Sequence, residues 1–493
     1  VSRSVRDLAY KVLAVREKAL RENKKEPTID EIAKELGVEK EEIAFCLDAI
    51  QDPVSLQEPV YGDDTENIYV DQYDMIEEYL RDPNNNWTQL MCNIINNVHP
   101  NIVQTVFTNF LLNASIRGWA EIQRNKDKYG HEIPFTILVD PTTACNKHCV
   151  GCWAADYNKA LNLSYEQLDK LFTEGKELGI YFYIMTGGEP LVRKSDILKL
   201  AKKHNDCVFM FFTNGTLIDQ KFCDDLIEVG NLVPTISVEG FDDATDGRRG
   251  EGSWKDIMRA MELMKSNRIP FGFSTCFTTA NCDSVLSEEF IDLMIDKGAY
   301  FSWYFTFMPI GCKTDTSLMA NPDQREKLYR TIRGWRSTKA IFNMDFWHDA
   351  EYVGGCVAGG RRYCHINANG DVEPCVFCHY SNANIKDVSL IEALGQPLFM
   401  EYQKNQPFNQ NQFRPCPILD NAPKIAEMVK NSGAKSTEFI DPENVDDLCK
   451  KTINYGLTWA KRAEPLWKEN LENKQKAKEE KNKKENNDCL IKN

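Results

Sequence analysis

Residues 135–152 read FTILVDPTTACNKHCVGC, and this stretch decides the fold. The run FTILVD is a short apolar segment of the kind that forms a buried parallel strand. A loop that carries Cys145, Cys149 and Cys152 follows it directly. Because parallel α/β units bind their ligands at the carboxyl ends of the strands, the loop lies where a ligand site is expected.

The spacing of these three cysteines favours one kind of metal site. Three thiolates on one loop can bind three irons of a [4Fe–4S] cluster, and the fourth iron then remains open to a small molecule. A zinc site is the alternative, but zinc prefers four ligands in two close pairs and this loop offers three. We therefore expect a cluster, with zinc as the second interpretation.

Alternating strands and helices extend outward from this stretch. Five further apolar runs have strand character: IYFYIMT, CVFMFFTN, VPTISVE, PFGFSTCF and YFSWYFTF. Amphipathic helices separate them; one begins at Ser164, where Gln167 completes a capping box, and stops at Gly179. Six such alternations predict a parallel sheet with right-handed crossovers that curls into a barrel. The predicted fold class is α/β, a partial (β/α)6 barrel with a small Cys-rich auxiliary domain and helical N- and C-terminal segments.

A second motif follows the second predicted strand. The run MTGGEPL places Gly187, Gly188, Glu189 and Pro190 at the end of that strand. A Gly-Gly pair allows close backbone approach, and a carboxylate can accept a hydrogen bond from an ammonium group. A lone GGEP is usually an ordinary turn, but two motifs at successive strand ends make coincidence a poor explanation.

Together, CxxxCxxC and GGEP resemble the motifs of the radical S-adenosylmethionine (radical SAM) family. The resemblance covers roughly residues 130–420. It implies a radical SAM barrel, reduction of the cluster, and cleavage of S-adenosylmethionine to methionine and a 5′-deoxyadenosyl radical that abstracts hydrogen from a substrate. One position departs from the family, because the residue before the last cysteine is often aromatic and is Gly151 here. Some branches of the family carry CxGC, so Gly151 indicates one of those branches and is compatible with a cluster.

The resemblance also assigns roles to residues at the strand ends. The GGEP motif binds the amino group of the cofactor in this family, Thr213 and Asn214 could face the cofactor, and Ser237 and Glu239 could contact its ribose or carboxylate. Arg248 or Arg249 could hold the carboxylate, and a surface turn is the alternative at each of these weaker positions. The predicted cofactor-binding residues are Gly187, Gly188, Glu189, Pro190, Asn214, Ser237, Glu239 and Arg248.

A second cysteine group lies further along the chain. Cys356, Cys375, Cys378 and Cys416 resemble the first half of the SPASM and twitch auxiliary-cluster domains. No clear CxxC pair accompanies Cys416, so we expect one auxiliary [4Fe–4S] cluster rather than two. Its fourth ligand stays open among Cys378, Cys364 and Cys449, and a zinc site or spare thiols is the alternative.

The first 72 residues resemble something different. EPTIDEIAKELGVEKEEI (26–43) has a helix–turn–helix pattern, and with AIQDPVSLQEPVYGDD (49–64) it resembles the central region of bacterial sporulation sigma factors. No −10-binding or −35-binding region accompanies it, and acidic residues in the second helix would repel phosphate. Because the chain begins at Val1 and its first methionine is Met75, we expect an artefact of gene assembly rather than a working fusion.

Composition limits the remaining classes. The net charge of −15 argues against general binding to nucleic acid or anionic membranes. Seventeen cysteines in a chain without a signal-peptide pattern point to metal ligands and buried thiols rather than disulfides. The same cysteine usage without an export signal predicts a cytoplasmic location. No apolar run of about 18 residues exists, so we expect no membrane span.

The predicted organisation has five parts: 1–72 sigma-like, 73–133 helical lead-in, 134–340 radical SAM core, 341–420 auxiliary iron–sulfur domain, and 421–493 C-terminal helices with a charged tail. The leading hypothesis is a radical SAM enzyme that acts on a peptide or small molecule, with an electron donor such as flavodoxin or ferredoxin. The second is a transcription-related iron–sulfur sensor, for which DNA or RNA polymerase would be partners. The third is a zinc-stabilised interaction protein.

Overall fold

The structure is a computed structural model that describes residues 15, 29–38, 77, 79, 81–156 and 161–491. The chain forms two compact units, Val1–Asn85 and Asn86–Asn493. In the first unit, helix α1 (Ile29–Leu36) buries Ile32 and Ala33 and is followed by Gly37 with φ +65°. The predicted start of this helix at Thr28, and the second helix of the helix–turn–helix pattern, lie outside the described residues.

The second unit begins with the predicted helical lead-in. Its helices are α2 (Asn86–Asn97), α3 (Pro100–Phe107), a π-helical segment (Thr108–Gly118) and α4 (Trp119–Tyr129). His99 caps α3 by accepting from the amide of Asn101, and α4 ends at Gly130, whose φ is +74°.

Within the described residues, nine strands form one sheet in the order β7-β6-β5-β4-β3-β2-β1-β8-β9. Their bounds are β1 Thr136–Val139, β2 Phe182–Met185, β3 Val208–Thr213, β4 Leu232–Ser237, β5 Phe271–Phe277, β6 Ala299–Thr306, β7 Phe342–Asp345, β8 Tyr363–Ile366 and β9 Val372–Glu373. All neighbours are parallel except β8 and β9. The first six strands lie in the six predicted runs and follow one another in chain order, which confirms the parallel α/β core.

Helices connect these strands and complete the unit. They are α5 Tyr165–Glu177, α6 Lys194–Lys203, α7 Gln220–Val229, α8 Asp242–Arg249, α9 Ser253–Ser266, α10 Cys282–Val285, α11 Glu288–Asp296, α12 Pro322–Thr338, α13 Ala350–Val353, α14 Leu390–Leu394, α15 Pro397–Asn405, α16 Ala422–Ser432 and α17 Val445–Ile491. A two-stranded antiparallel sheet pairs β10 (Tyr380–Ser381) with β11 (Lys435–Ser436). None of the helices in the described part of the chain is long and apolar enough to cross a membrane.

Alternation along the strands divides the core into two layers. Ile137 and Tyr183 belong to the larger apolar cluster, which includes the core residues of the connecting helices. Leu138, Ile184 and Met210 belong to the second cluster, together with side chains from residues 346–449. The inner face of the curved sheet therefore packs on the Cys-rich segment.

Residues 340–417, for which the sequence predicted no strand, contribute to the sheet. Strand β7 extends it beyond β6, and β8 pairs with β1 at the other side. The sheet therefore has three strands more than the predicted six, and all three (β7, β8 and β9) come from the segment that carries the second cysteine group.

Candidate active site

A cavity of about 180 Å³ lies at the carboxyl ends of the strands and is lined by Cys145, Cys149 and Cys152. The next five strands each place a hydroxyl-bearing residue in the lining, in or just after the strand: Thr186, Thr213, Ser237, Ser274 and Thr306. All cysteines in the described part of the chain are free of disulfides. The structure thus brings the three predicted thiols together on one cavity.

Three thiols that line one cavity are the donor set that a [4Fe–4S] cluster needs. Within the described residues, no three His, Cys, Asp or Glu side chains lie close enough to hold one metal ion. In a [4Fe–4S] cluster each cysteine binds a different iron, so the sulfurs need not converge on one point. Burial raises the pKa of the Cys145 and Cys152 thiols, so binding of iron is the event that would draw off their protons.

The loop that carries Cys145, Cys149 and Cys152, here called the cluster loop, passes so close to the GGEP motif that both of its glycines are needed. Gly187 has φ +103°, and a Cβ there would lie 2.5 Å from the carbonyl oxygen of Thr142. A Cβ at Gly188 would lie 2.1 Å from the carbonyl oxygen of Ala144. The amides of Gly188 and Glu189 donate to these carbonyls at 2.9 and 2.8 Å. The glycines therefore fix the position of the backbone just before Cys145, and both also line the cavity.

Glu189 lines the cavity, but its carboxylate already has protein donors. Oε1 accepts from the amide of Leu191 at 3.1 Å and from the Thr213 hydroxyl at 2.8 Å. Oε2 accepts from the amide of Asn214 at 2.8 Å. Burial raises the pKa of Glu189 despite these donors. The carboxylate ties the ends of β2 and β3 together, while Pro190 begins the short 3₁₀ turn behind it and does not line the cavity.

Asn214 and Ser237, two of the predicted cofactor-binding residues, lie at the carboxyl ends of β3 and β4. The side-chain amide of Asn214 donates to Oδ1 of Asn146 at 2.8 Å, which links the end of β3 to the cluster loop. The hydroxyl of Ser237 lies 3.3 Å from that of Ser274. Both predicted residues line the cavity.

Glu239 does not line the cavity; it holds the two arginines that do. Its Oε1 accepts from Nη1 of Arg248 at 2.7 Å, and from Nε and Nη2 of Arg249 at 2.8 and 2.5 Å. Burial alone would raise the pKa of Glu239, but Arg248 and Arg249 outweigh it and lower the pKa. Nη1 of Arg249 also lies 4.0 Å from the sulfur of Cys149. The result is a buried cationic edge beside the thiols, which suits an anionic cluster or a carboxylate.

Gly151, the departure from the family pattern, has a structural cause. Its φ is +64°, and a Cβ there would lie 2.7 Å from the ring of Phe307 and 3.0 Å from Leu318. Phe307 lines the cavity from the segment after β6. The ring of Phe307, from the segment after β6, therefore occupies the space that an aromatic side chain before Cys152 would need.

The second cysteine group lines a larger cavity of about 400 Å³, to which Cys356, Cys375 and Cys416 contribute. Cys378 lies next to Cys375, with its amide donating to the Cys375 carbonyl at 2.8 Å. The phenol of Tyr402 donates to the sulfur of Cys378 at 3.5 Å, and burial raises the pKa of Tyr402 well above its usual value. Three of the four predicted cysteines therefore line one cavity, and Cys378 adjoins it through Cys375.

The other two candidates for the fourth ligand lie elsewhere. Cys364 is on β8 and is buried in the larger core cluster, away from the other cysteines. Cys449 donates to the carbonyl of Ala422 at 3.0 Å and does not line the cavity. Cys378 does not line the cavity either, but it is hydrogen-bonded to Cys375, which does, and this contact favours Cys378 as the fourth ligand.

Several residues of the site carried no sequence signal. Lys147 donates to the Ser253 hydroxyl at 2.9 Å and so anchors the cluster loop to α9. The phenol of Tyr363 donates to the sulfur of Cys375 at 3.0 Å. Trp153, next to Cys152, packs its ring edge-on against His365, with centroids 5.8 Å apart. None of these contacts follows from a local motif, because each joins residues distant in sequence.

Comparison with protein-family models agrees with this geometry. Residues 139–292 match the Radical SAM superfamily, residues 356–417 match the SPASM iron–sulfur cluster-binding domain, and residues 7–70 match Sigma-70 region 3. The chain therefore resembles radical SAM proteins with a SPASM domain and carries a sigma-like segment, as predicted. The two iron–sulfur domains imply a [4Fe–4S] cluster and S-adenosylmethionine, with auxiliary cluster binding.

Individual relatives cover different parts of the chain. RNA polymerase sigma-G factor of Bacillus subtilis is 63% identical over 70 residues, which are 14% of this chain and 27% of that protein. Mycofactocin maturase MftC of Mycolicibacterium smegmatis is 25% identical over 267 residues, 50% of this chain and 66% of the maturase. The chain thus spans less than two thirds of either relative.

A solved structure supports the fold. Streptococcus suis SuiB bound to precursor peptide SuiA superposes with a TM-score of 0.50 at 15% identity, over 65% of this chain and 78% of SuiB. At this identity the similarity concerns the fold alone.

Proposed function

We propose that this protein is a radical SAM enzyme that cleaves S-adenosylmethionine reductively and abstracts hydrogen from a substrate, with Cys145, Cys149 and Cys152 as ligands of the first cluster. One observation carries the proposal: the three thiols and the Gly187-Gly188 turn line one cavity at the carboxyl ends of the parallel strands. When bound, a reduced [4Fe–4S] cluster supplies the electron for the cleavage.

The protein's own residues position and shield this chemistry. Arg248 and Arg249 offer fixed positive charge beside the thiols, and Glu239 holds their guanidinium groups in place. The Asn146–Asn214 hydrogen bond fixes the cluster loop against β3. Apolar side chains close the remaining wall and exclude water from the cavity: Leu138, Phe212, Phe305, Phe307, Met308, Val376 and Phe377.

For the finer assignment we propose a peptide as the substrate class and a peptide-modifying reaction. Two similarities support it: the relative MftC is a maturase, and SuiB binds a precursor peptide. An electron donor of the flavodoxin or ferredoxin class would supply the reducing equivalents. The sigma-like segment does not enter this proposal, because the cavity and its thiols lie entirely in the second unit.

The test measures 5′-deoxyadenosine release by anaerobically reconstituted protein given S-adenosylmethionine and dithionite. We expect release by the wild type and none by the triple Cys145→Ala, Cys149→Ala, Cys152→Ala variant. Cys312→Ala is the matched control, because this exposed thiol lines neither cavity. Release by the triple variant at the wild-type rate would contradict the proposal.

A further inference from the structure

We infer that the 400 Å³ cavity binds the substrate and accepts an uncharged apolar group, such as an aromatic or large aliphatic side chain. Its volume lies in the range of about 300–1,000 Å³ that is typical of small-molecule sites. This inference rests on the proposed function, since it names the part of the substrate that the same enzyme would hold.

The position of the cavity supports a substrate role. It shares part of its wall with the 180 Å³ cavity that holds the first three thiols. The shared residues are Leu138, Phe212, Phe305, Met308, Val376 and Phe377. A group in the larger cavity therefore lies directly beside the site proposed for the cofactor, as hydrogen abstraction requires.

Aromatic rings form a continuous part of the lining. Phe212 lies 5.8 Å from Trp303 between ring centroids, and Trp303 stacks on Phe305 at 5.4 Å. Phe305 lies 5.2 Å from Phe346, which in turn lies 5.3 Å from Trp347. Rings arranged this way offer apolar faces and edges that suit another aromatic or aliphatic group.

The charged side chains of this lining already have partners. Oδ2 of Asp345 lies 2.6 Å from Nδ1 of His348, and the carboxylate of Asp349 accepts from Arg336 at 2.6 and 2.8 Å. The guanidinium of Arg362 lies 4.5 Å from the centre of an indole ring of the same lining. A charged substrate group would enter without a free counter-charge, which is costly in an apolar site.

The proposed ligands of the auxiliary cluster and the aromatic rings come from different parts of the lining. The ligands come from the segment between Cys356 and Cys416, whereas the aromatic wall comes from β3, β6 and the turn after β7. These aromatic rings, from Phe212 to Trp347, include no proposed cluster ligand, and they are the surface on which we place the apolar group.

The test uses the full chain with its clusters reconstituted. Equilibrium dialysis measures the binding of two uncharged probes and one charged probe. We expect N-acetyl-phenylalaninamide and N-acetyl-leucinamide to bind, and N-acetyl-lysinamide to bind at least about tenfold more weakly because its ammonium has no partner there. The clusters are checked by iron content in every sample.

Lysine substitutions inside and outside the lining test whether the probes bind in this cavity. Val353 lines the cavity and is 40% exposed, whereas Phe342 is 44% exposed and does not line it. Val353→Lys should weaken binding of the phenylalanine probe, and the matched Phe342→Lys should leave it unchanged. Met344→Lys places the charge further inside and should abolish binding; circular dichroism and iron content confirm that it folds.

The inference is overturned if the lysine probe binds as well as the phenylalanine probe, if the two exposed-site variants behave alike, or if probes bind only after the auxiliary cysteines are replaced. The last result would mean that the cluster fills the cavity. Each of these outcomes leaves 5′-deoxyadenosine release untouched, so failure of the inference is separable from failure of the proposed function.

Discussion

Replacing Glu239 with Gln tests whether the buried Arg248–Glu239–Arg249 group holds the cluster loop in place. The side chain of Glu239 is fully buried, and one of its oxygens accepts three hydrogen bonds from the two guanidinium groups. Gln keeps the shape but removes the charge, and its amide nitrogen or oxygen must face two buried cations. Breaking a buried ion pair in this way costs about 3–5 kcal/mol.

Loss of the Glu239 charge should also disturb the cluster loop, because Arg248 is hydrogen-bonded to that loop. The carbonyl of Arg248 accepts from the amide of Val150 at 2.8 Å, between the second and third cysteines of the loop. We therefore expect Glu239→Gln to lower the free energy of unfolding by about 3–5 kcal/mol and to reduce iron bound at the first cluster. Urea unfolding followed by circular dichroism measures the first effect, and iron analysis measures the second.

The control is Glu251→Gln, an exposed carboxylate a few residues along the chain. It should change the free energy of unfolding by no more than about 0.5 kcal/mol. The reasoning is refuted if Glu239→Gln unfolds at the same urea concentration as the wild type and binds the same amount of iron.

Three further predictions concern single positions. Gly188→Ala should reduce iron incorporation, because its Cβ would lie 2.1 Å from a backbone oxygen of the cluster loop. The control Gly247→Ala, whose Cβ would meet nothing within 4 Å, should leave the iron content unchanged. Equal iron contents in the two variants would contradict this prediction. Cys378→Ala should remove auxiliary iron while Cys364→Ala retains it, and the opposite result would show that the fourth ligand is misassigned. Arg325→Met should lower the free energy of unfolding by about 3–5 kcal/mol by leaving a buried carboxylate unpaired, and an unchanged urea midpoint would refute that.

The six core strands could be predicted because each is a run of apolar residues. Strand β7 was missed because it contains Asn343 and Asp345, which are buried but polar. The hydroxyl of Ser302 donates to Asn343 at 2.6 Å, from the neighbouring strand. Strand β8 was missed for the same reason, since its His365 lies between two buried carboxylates. Buried polar residues with distant partners conceal a strand from any pattern based on hydrophobicity.

The site was predicted best where a motif is local. The three cysteines lie within one short stretch of sequence and the two glycines are adjacent, and the structure places both motifs on one cavity. The placement of Glu239 behind its arginines was not predictable from the sequence, because it depends on how the end of β4 meets α8. The preference for Cys378 over Cys364 likewise depends on which side of the sheet each thiol faces.

The most direct test of the central claim is electron paramagnetic resonance of the dithionite-reduced protein, with and without S-adenosylmethionine. If Cys145, Cys149 and Cys152 hold a cluster with one open iron, the cofactor should change the spectrum of the wild type. The triple alanine variant should lose that component and keep an auxiliary signal that the cofactor does not alter. A wild-type spectrum that is indifferent to the cofactor, or a triple variant that still responds to it, would contradict the assignment of these three cysteines.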